Sequence, residues 1–192
     1  MKILIINNHT KHLDELRQLF ERYGETATVD KFELKKDHIY EEYNLIVLSG
    51  SSAVSVKDKP QVYEKELLLI KQTQVPIIGV CMGAELIAYA YGWTLRKLKH
   101  KLISLEPLQF ISHSLPISQA STIERHSRVI ESLGDQLEAL AQSDYGYEII
   151  KHKTKPIYGL QFHPEIDPQS QQGDEIVDCI MAQIINSLQD KH

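Results

Sequence analysis

Short, uniformly apolar runs alternate along the chain with stretches in which apolar residues return every three or four positions. That is the pattern of buried strands separated by amphipathic helices. Residues 3–6 form an unbroken apolar run and predict a first strand covered on both faces. Leu13, Leu16, Leu19 and Phe20 share one face of a helix that Thr10 would cap and that would end at Gly24. A second strand is expected at residues 26–29 and a third at 45–48, broken by Ser49-Gly50-Ser51-Ser52. Pro60 stands where a helix can begin, with Val62, Leu67, Leu68 and Ile70 on its apolar side. Residues 75–80 predict another strand, which runs directly into Cys81 and a helix from about 83 to 91.

The second half has a different texture. Residues 102–110, 121–125, 137–141 and 147–150 read as strands separated by turns, which predicts an antiparallel portion. Residues 157–160 give a further buried strand that ends at Gln161-Phe162-His163, and a helix over 174–188 closes the chain. The expected fold is α/β: three layers, a mostly parallel central sheet with helices on both faces, and a small antiparallel layer. No repeat, low-complexity tract or linker interrupts residues 1–192, so one domain is expected.

Composition narrows the function classes. A formal net charge of -5 over 192 residues argues against nucleic acid as the main partner, because backbone phosphates need a basic surface. No apolar run approaches the roughly 18 residues of a membrane span, and the first apolar run is too short for a signal peptide. A cytoplasmic location is expected. The two cysteines, Cys81 and Cys179, suggest neither a disulfide framework nor a zinc spacing, so no metal is expected.

One of the two thiols has a special setting. Gly79-Val80-Cys81-Met82-Gly83 has the form of a nucleophile elbow, with a strand before it and a helix after it. Glycines suit so tight a bend, and the helix N-terminus favours thiolate, so a lowered Cys81 pKa is expected. Cys179 lies within the apolar pattern of the last helix and reads as core. A thiol nucleophile needs a base and a group to orient the base. His163 follows a strand in Gly159-Leu160-Gln161-Phe162-His163-Pro164-Glu165, and Glu165 stands two residues on, able to fix the imidazole tautomer.

These two motifs together resemble the class I glutamine amidotransferases, the Cys-His-Glu family, and the resemblance covers nearly the whole chain. It implies a flavodoxin-like version of the predicted fold, with Cys81, His163 and Glu165 as catalytic triad. Leu48-Ser49-Gly50-Ser51 falls where the family has a glycine-rich loop, which implies Gly50 near the substrate and the N–H groups of Ser51 and Met82 as oxyanion donors. Glu124-Arg125-His126-Ser127-Arg128-Val129 resembles the segment lining the glutamine pocket, which implies His126 and Ser127 as substrate contacts. Residues 149–152 and 155–158 are similar to the glutaminase part of GMP synthase and to the anthranilate synthase subunit. The family's chemistry would be hydrolysis of the L-glutamine side-chain amide through a Cys81 thioester, without metal or organic cofactor. The sequence lacks the Gly-x-x-x-x-Gly-Lys-Ser/Thr phosphate loop, so a separate synthase subunit would accept the ammonia.

Two positions depart from the family pattern. Gly50-Ser51-Ser52 replaces the usual Gly-Gly-Pro, and Glu85 replaces the glutamine that usually stands four residues after the nucleophile. If Glu85 lines the pocket, its charge must meet the substrate's α-ammonium or a neighbouring base such as Arg125 or Arg128. A carboxylate there keeps open a stand-alone γ-glutamyl hydrolase acting on γ-glutamyl conjugates. A non-catalytic regulatory homologue is a third class, against which the intact Cys-His-Glu set argues.

Overall fold

A computed structural model of the chain describes residues 1–189 apart from 36, 37, 39, 52, 53 and 133. Its sheet begins with five parallel strands in the order β2 (Glu25–Asp30), β1 (Lys2–Asn7), β3 (Leu45–Leu48), β4 (Ile77–Val80) and β9 (Ile157–Leu160). Successive side chains of a strand point to opposite faces, and here both faces are covered. Ile3, Ile5, Leu45, Val47, Ile78 and Val80 pack with Leu16, Leu19 and Phe20 of helix α1 (Leu13–Glu21) and with Ile176, Val177 and Ile180 of helix α4 (Gly173–Gln189). Leu4, Ile6, Ile46, Leu48 and Ile77 face Leu69 and Ile70 of α2 (Glu64–Gln72) and Leu86 and Ile87 of α3 (Met82–Ala90). Two buried faces explain why these strands read as continuous apolar runs. Among the described residues, no helix is long and apolar enough to cross a membrane.

The expectation of a mostly parallel sheet with a small antiparallel layer needs correction. Beyond β9 come β8 (Tyr147–His152), β6 (Ala120–Ile130), β5 (Leu95–Phe110) and β7 (Leu137–Gln142), all paired antiparallel. Since β7 also pairs with β8, these four strands close on one another like a small barrel. Its extent was hidden because the first part of β5 carries Arg96, Lys97, Lys99, His100 and Lys101, a charged run with little apolar alternation. A register shift between Lys97 and Leu102 further breaks the period.

Helix ends also differ from expectation. Thr10 does not cap α1; its hydroxyl accepts from the His12 N–H at 3.2 Å, and His12 occupies the cap position without a side-chain bond. Cys179 is half-buried against the core rather than enclosed in it.

Two glycines delimit what α3 tolerates. Gly92, just past its end, has φ of +80° and open space around it. A Cβ on Gly83 would lie 2.3 Å from the Leu48 carbonyl oxygen of β3. Gly92→Ala should therefore cost about 1–2 kcal/mol, the usual left-handed strain. Gly83→Ala should cost more than about 3 kcal/mol, because backbone must move to relieve the clash. Denaturant midpoints of the two variants check the order; equal losses would contradict the close approach of α3 to β3.

Candidate active site

Cys81 sits between β4 and α3 with φ of 50° and ψ of -102°, a conformation a non-glycine residue adopts only under constraint. Its N–H donates to the Leu160 carbonyl at 2.7 Å, and its own carbonyl accepts the Glu85 N–H at 3.0 Å. The turn is this tight because Gly79 lies against Gly83, where a Cβ would meet the Gly83 carbonyl carbon at 2.4 Å. The elbow read in the sequence is thus present.

The register Val80↔Leu160 between β4 and β9 carries both strands to the same edge, so Cys81 and His163 emerge side by side. The His163 ring and the Cys81 sulfur are hydrogen-bonded. Nδ1 of His163 lies 2.7 Å from Oε1 of Glu165, which leaves Nε2 for the sulfur. His163 itself is anchored by its N–H to the Ile123 carbonyl at 3.0 Å and by the Gln171 amide, which donates to the His163 carbonyl at 2.8 Å. Sequence and structure therefore agree in bringing Cys81, His163 and Glu165 together.

The electrostatics differ from expectation in one respect. Burial pushes the Cys81 thiol up rather than down, and the neighbouring imidazole offsets this only in part. On His163 burial acts downward, but the sulfur and Glu165 outweigh it and hold the imidazole well above its ordinary value. The helix end alone does not deliver a low-pKa thiol in so dry a position.

Cys81 opens on a cavity of about 370 Å³ whose walls include Ser51, Met82, Glu85, His126, Ser127 and Arg128. Met82 is the first residue of α3, so its N–H has no helical carbonyl to serve. Gly50 adjoins His163: a Cβ there would stand 3.1 Å from Cε1 of the ring. Ser52 lies outside the described residues. Arg125 and Lys101 also reach the cavity wall, while Arg128 is tied to Asp58 by an ion pair.

Glu85 is a buried cavity residue, not a solvent-facing one. Burial pushes its carboxyl up to about 7, with His126 and then Arg128 pulling the other way. Its Oε2 has no hydrogen-bond partner among the described residues.

Behind the wall lies a group of which sequence reasoning singled out His126 alone. Nε2 of His126 is 2.8 Å from Oε2 of Glu124, Thr122 donates to Glu124 at 2.9 Å, and Ser143 donates to Glu148 at 2.7 Å. Burial pushes Glu124 up to about 7 and Glu148 up to about 8, and it lowers His126. The Glu124 carboxyl adds to the upward push of burial on Glu148. The three residues present ligand atoms within 4.8 Å of one another, the one set among the described residues that could hold a divalent ion. The alternation of β6 could have placed Glu124 indoors, but polar residues at core positions carry no motif, and β8, buried at three successive residues, has no alternation by which to place Glu148.

A strained cysteine elbow backed by a His-Glu pair on an α/β scaffold defines a cysteine-dependent enzyme of the amide-hydrolysing kind. The family description "Glutamine amidotransferase class-I" matches residues 4–182, and the chain belongs to that family. It is similar to the glutamine-hydrolyzing GMP synthase subunit of Methanopyrus kandleri, at 28% identity over 85% of this chain and 89% of that protein. The corresponding GMP synthase subunit of Methanosarcina mazei is also 28% identical, over 92% and 93% of the two chains. Among solved structures, a Thermoplasma acidophilum protein superposes with a TM-score of 0.84 at 22% identity, covering 100% of this chain and 97% of its own. A glutamine amidotransferase from Thermotoga maritima gives 0.73 at 20% identity, over 100% and 83%.

The buried carboxyls imply a pH-dependent stability. Glu85, Glu124 and Glu148 each hold a proton more tightly when folded than at their ordinary value of 4.5. That contribution is complete below about pH 4.5 and is lost as pH rises through 7 to 8. The raised His163 acts in the same direction and the lowered His126 in the opposite one. The melting temperature should fall between about pH 5 and 8, and Glu148→Gln should flatten that fall. A melting temperature that rises over this range would contradict the assignment.

Proposed function

We propose that the chain hydrolyses the side-chain amide of L-glutamine through a Cys81 thioester and supplies the ammonia to a separate synthase, as a GMP synthase-like glutaminase subunit. The observation that carries this reading is the contact set of the elbow: Cys81 bonded to His163, and His163 bonded through Nδ1 to Glu165 at 2.7 Å. The proton between sulfur and Nε2 passes to His163 as the sulfur attacks the amide carbon, and the carbonyl oxygen takes the negative charge. The N–H groups of Ser51 and Met82 are suited to hold that oxygen, a contribution worth about 10²–10³ in rate per donor. His163 then protonates the leaving nitrogen, ammonia departs and the γ-glutamyl thioester remains. Water attacks next, giving its proton to His163, and glutamate leaves as the thiol is restored. Glu165 keeps Nε2 aimed at the sulfur by holding Nδ1.

His126, Ser127 and Gly50 would shape the substrate end of the cavity, and Glu85 would receive the α-ammonium group. Glu85 begins one helical turn beyond Cys81, which suits the short carbon chain between the amide and the α-carbon of glutamine. The names of the Methanopyrus and Methanosarcina relatives support the choice of glutamine and of a synthase partner. A γ-glutamyl hydrolase is a second reading, and the observation favouring it is the buried carboxyl of Glu85. The whole chain acting as one domain in the cytoplasm fits both readings.

Cys81→Ala should reduce ammonia release from glutamine by at least about 10³-fold while preserving the fold. Cys179→Ala should leave it unchanged, and the reverse result would overturn the assignment.

Glu85 gives a second test through pH. Its carboxylate form increases as pH rises through about 7, so KM for glutamine should fall between pH 6 and 8. Glu85→Gln should remove that dependence. A preference of the unaltered protein for a γ-glutamyl dipeptide over glutamine, measured as kcat/KM, would transfer the assignment to the hydrolase.

A further inference from the structure

The loop bearing Gly50 and Ser51 is braced by residues that none of the steps above uses. Tyr63 and Glu66, both about 1% exposed, belong to the 3-10 turn Pro60–Tyr63 and to α2. Both line a second cavity of about 200 Å³, which shares no wall residue with that of Cys81. Tyr63 donates from its hydroxyl to the Val54 carbonyl at 2.5 Å and accepts from the hydroxyl of Ser51. The Lys31 ammonium sits 4.3 Å from the centre of the Tyr63 ring and fixes it from the other side.

Asn8 grips the same loop one residue earlier. Its N–H donates to the Ser49 hydroxyl at 2.8 Å, and its side-chain amide donates to the Ser49 carbonyl at 3.2 Å. Ser49 in turn donates to the Gly50 carbonyl at 2.9 Å, the carbonyl of the peptide whose N–H belongs to Ser51. The Glu66 carboxyl lies against the Asn8 amide. Neither Glu66 oxygen, nor Oδ1 of Asn8, has a regular hydrogen bond among the described residues. A buried carboxyl without a hydrogen-bonded partner costs stability, and this one sits beside the amide that holds Ser49, with the Lys31 ammonium acting on it as well.

We propose that Asn8, Tyr63 and Glu66 are positioning residues that brace the Gly50–Ser51 peptide and so aim its N–H at the oxygen that becomes the oxyanion. The brace rests on the proposed oxyanion role of Ser51. Asn8 and Ser49 hold the carbonyl end of that peptide, Tyr63 holds the side chain at its N–H end, and Glu66 stands behind the Asn8 amide. Rotation of the peptide would turn the donor away from the cavity. A fixed donor costs no reorganisation when charge develops on the substrate, and this is what makes such donors effective.

The test compares two reactions of Cys81 in the full chain. Hydrolysis of γ-glutamyl p-nitroanilide develops an oxyanion, whereas alkylation of the thiol by iodoacetamide does not. Asn8→Ala, Glu66→Ala and Tyr63→Phe should each lower kcat by about 10- to 100-fold, the range expected for a misaimed donor. KM should stay within about twofold, and the alkylation rate should not change. Glu66→Gln keeps a hydrogen-bonding amide of the same shape and should recover most of kcat. Tyr63→Phe removes a single oxygen and keeps the proposal open to refutation if an alanine variant fails to fold. Unchanged kcat in folded variants would overturn the proposal. So would alkylation that slows in proportion to kcat, since the residues would then act on the thiol or on the fold. Turnover surviving in Cys81→Ala would instead refute the underlying reading of the site.

Discussion

The strand-to-helix turn at Cys81 is the constraint on which the rest of the site depends. A non-glycine residue at φ of 50° carries strain of order 1–3 kcal/mol, and it persists only where its surroundings leave no alternative. Here α3 is pressed onto β4 and β3 through Gly79 and Gly83, and the Cys81 N–H is tied to Leu160 of the neighbouring strand. That last bond joins the elbow to β9, and three residues beyond Leu160 stands His163. The parallel register therefore sets the spacing of Cys81 and His163 before any side chain chooses a rotamer. The cavity lies beyond the carboxyl ends of parallel strands, the usual place for ligands in open α/β sheets.

Burial of the ionisable side chains is the second constraint. Cys81, Glu85, His126, His163 and Glu165 are all buried, and burial is the largest influence on the titration of Cys81, Glu85 and His126. In such a medium a proton is placed by geometry. Glu165 fixes one nitrogen of His163 and leaves the other for the sulfur, and Glu124 engages Nε2 of His126. The antiparallel strands β6 and β8 supply Glu124, His126 and Glu148, so the closed part of the sheet forms the pocket's back wall. Helix α2 and the turn before it support the opposite side through Tyr63 and Glu66.

Much of this was legible in the sequence, and the limits have physical causes. Strands β3 and β9 have the predicted bounds, because each is a short run of buried residues with polar residues or a proline at its edges. Cys81, His163 and Glu165 were legible as a set, because a glycine-flanked cysteine at a tight turn and a histidine at a strand end are particular residue types in particular settings. The long antiparallel strands were read short, since β5 and β6 are half-exposed and carry charges that blur alternation. The thiol's raised pKa was not legible either. A helix N-terminus can be read from sequence, but the desolvation that opposes it arises from chain segments far apart. Glu66 and Glu148 escaped notice for the same reason: a lone glutamate reads as surface until its neighbours are known.

The central claim is a covalent bond between Cys81 and the γ-glutamyl group. The most direct measurement is mass analysis of the protein quenched in acid during turnover of glutamine, followed by peptide mapping. The account predicts one γ-glutamyl group on the peptide containing Cys81, lost on standing with water, and none on that containing Cys179. An unmodified Cys81 peptide during a demonstrated burst of ammonia, or an adduct on Cys179, would contradict it.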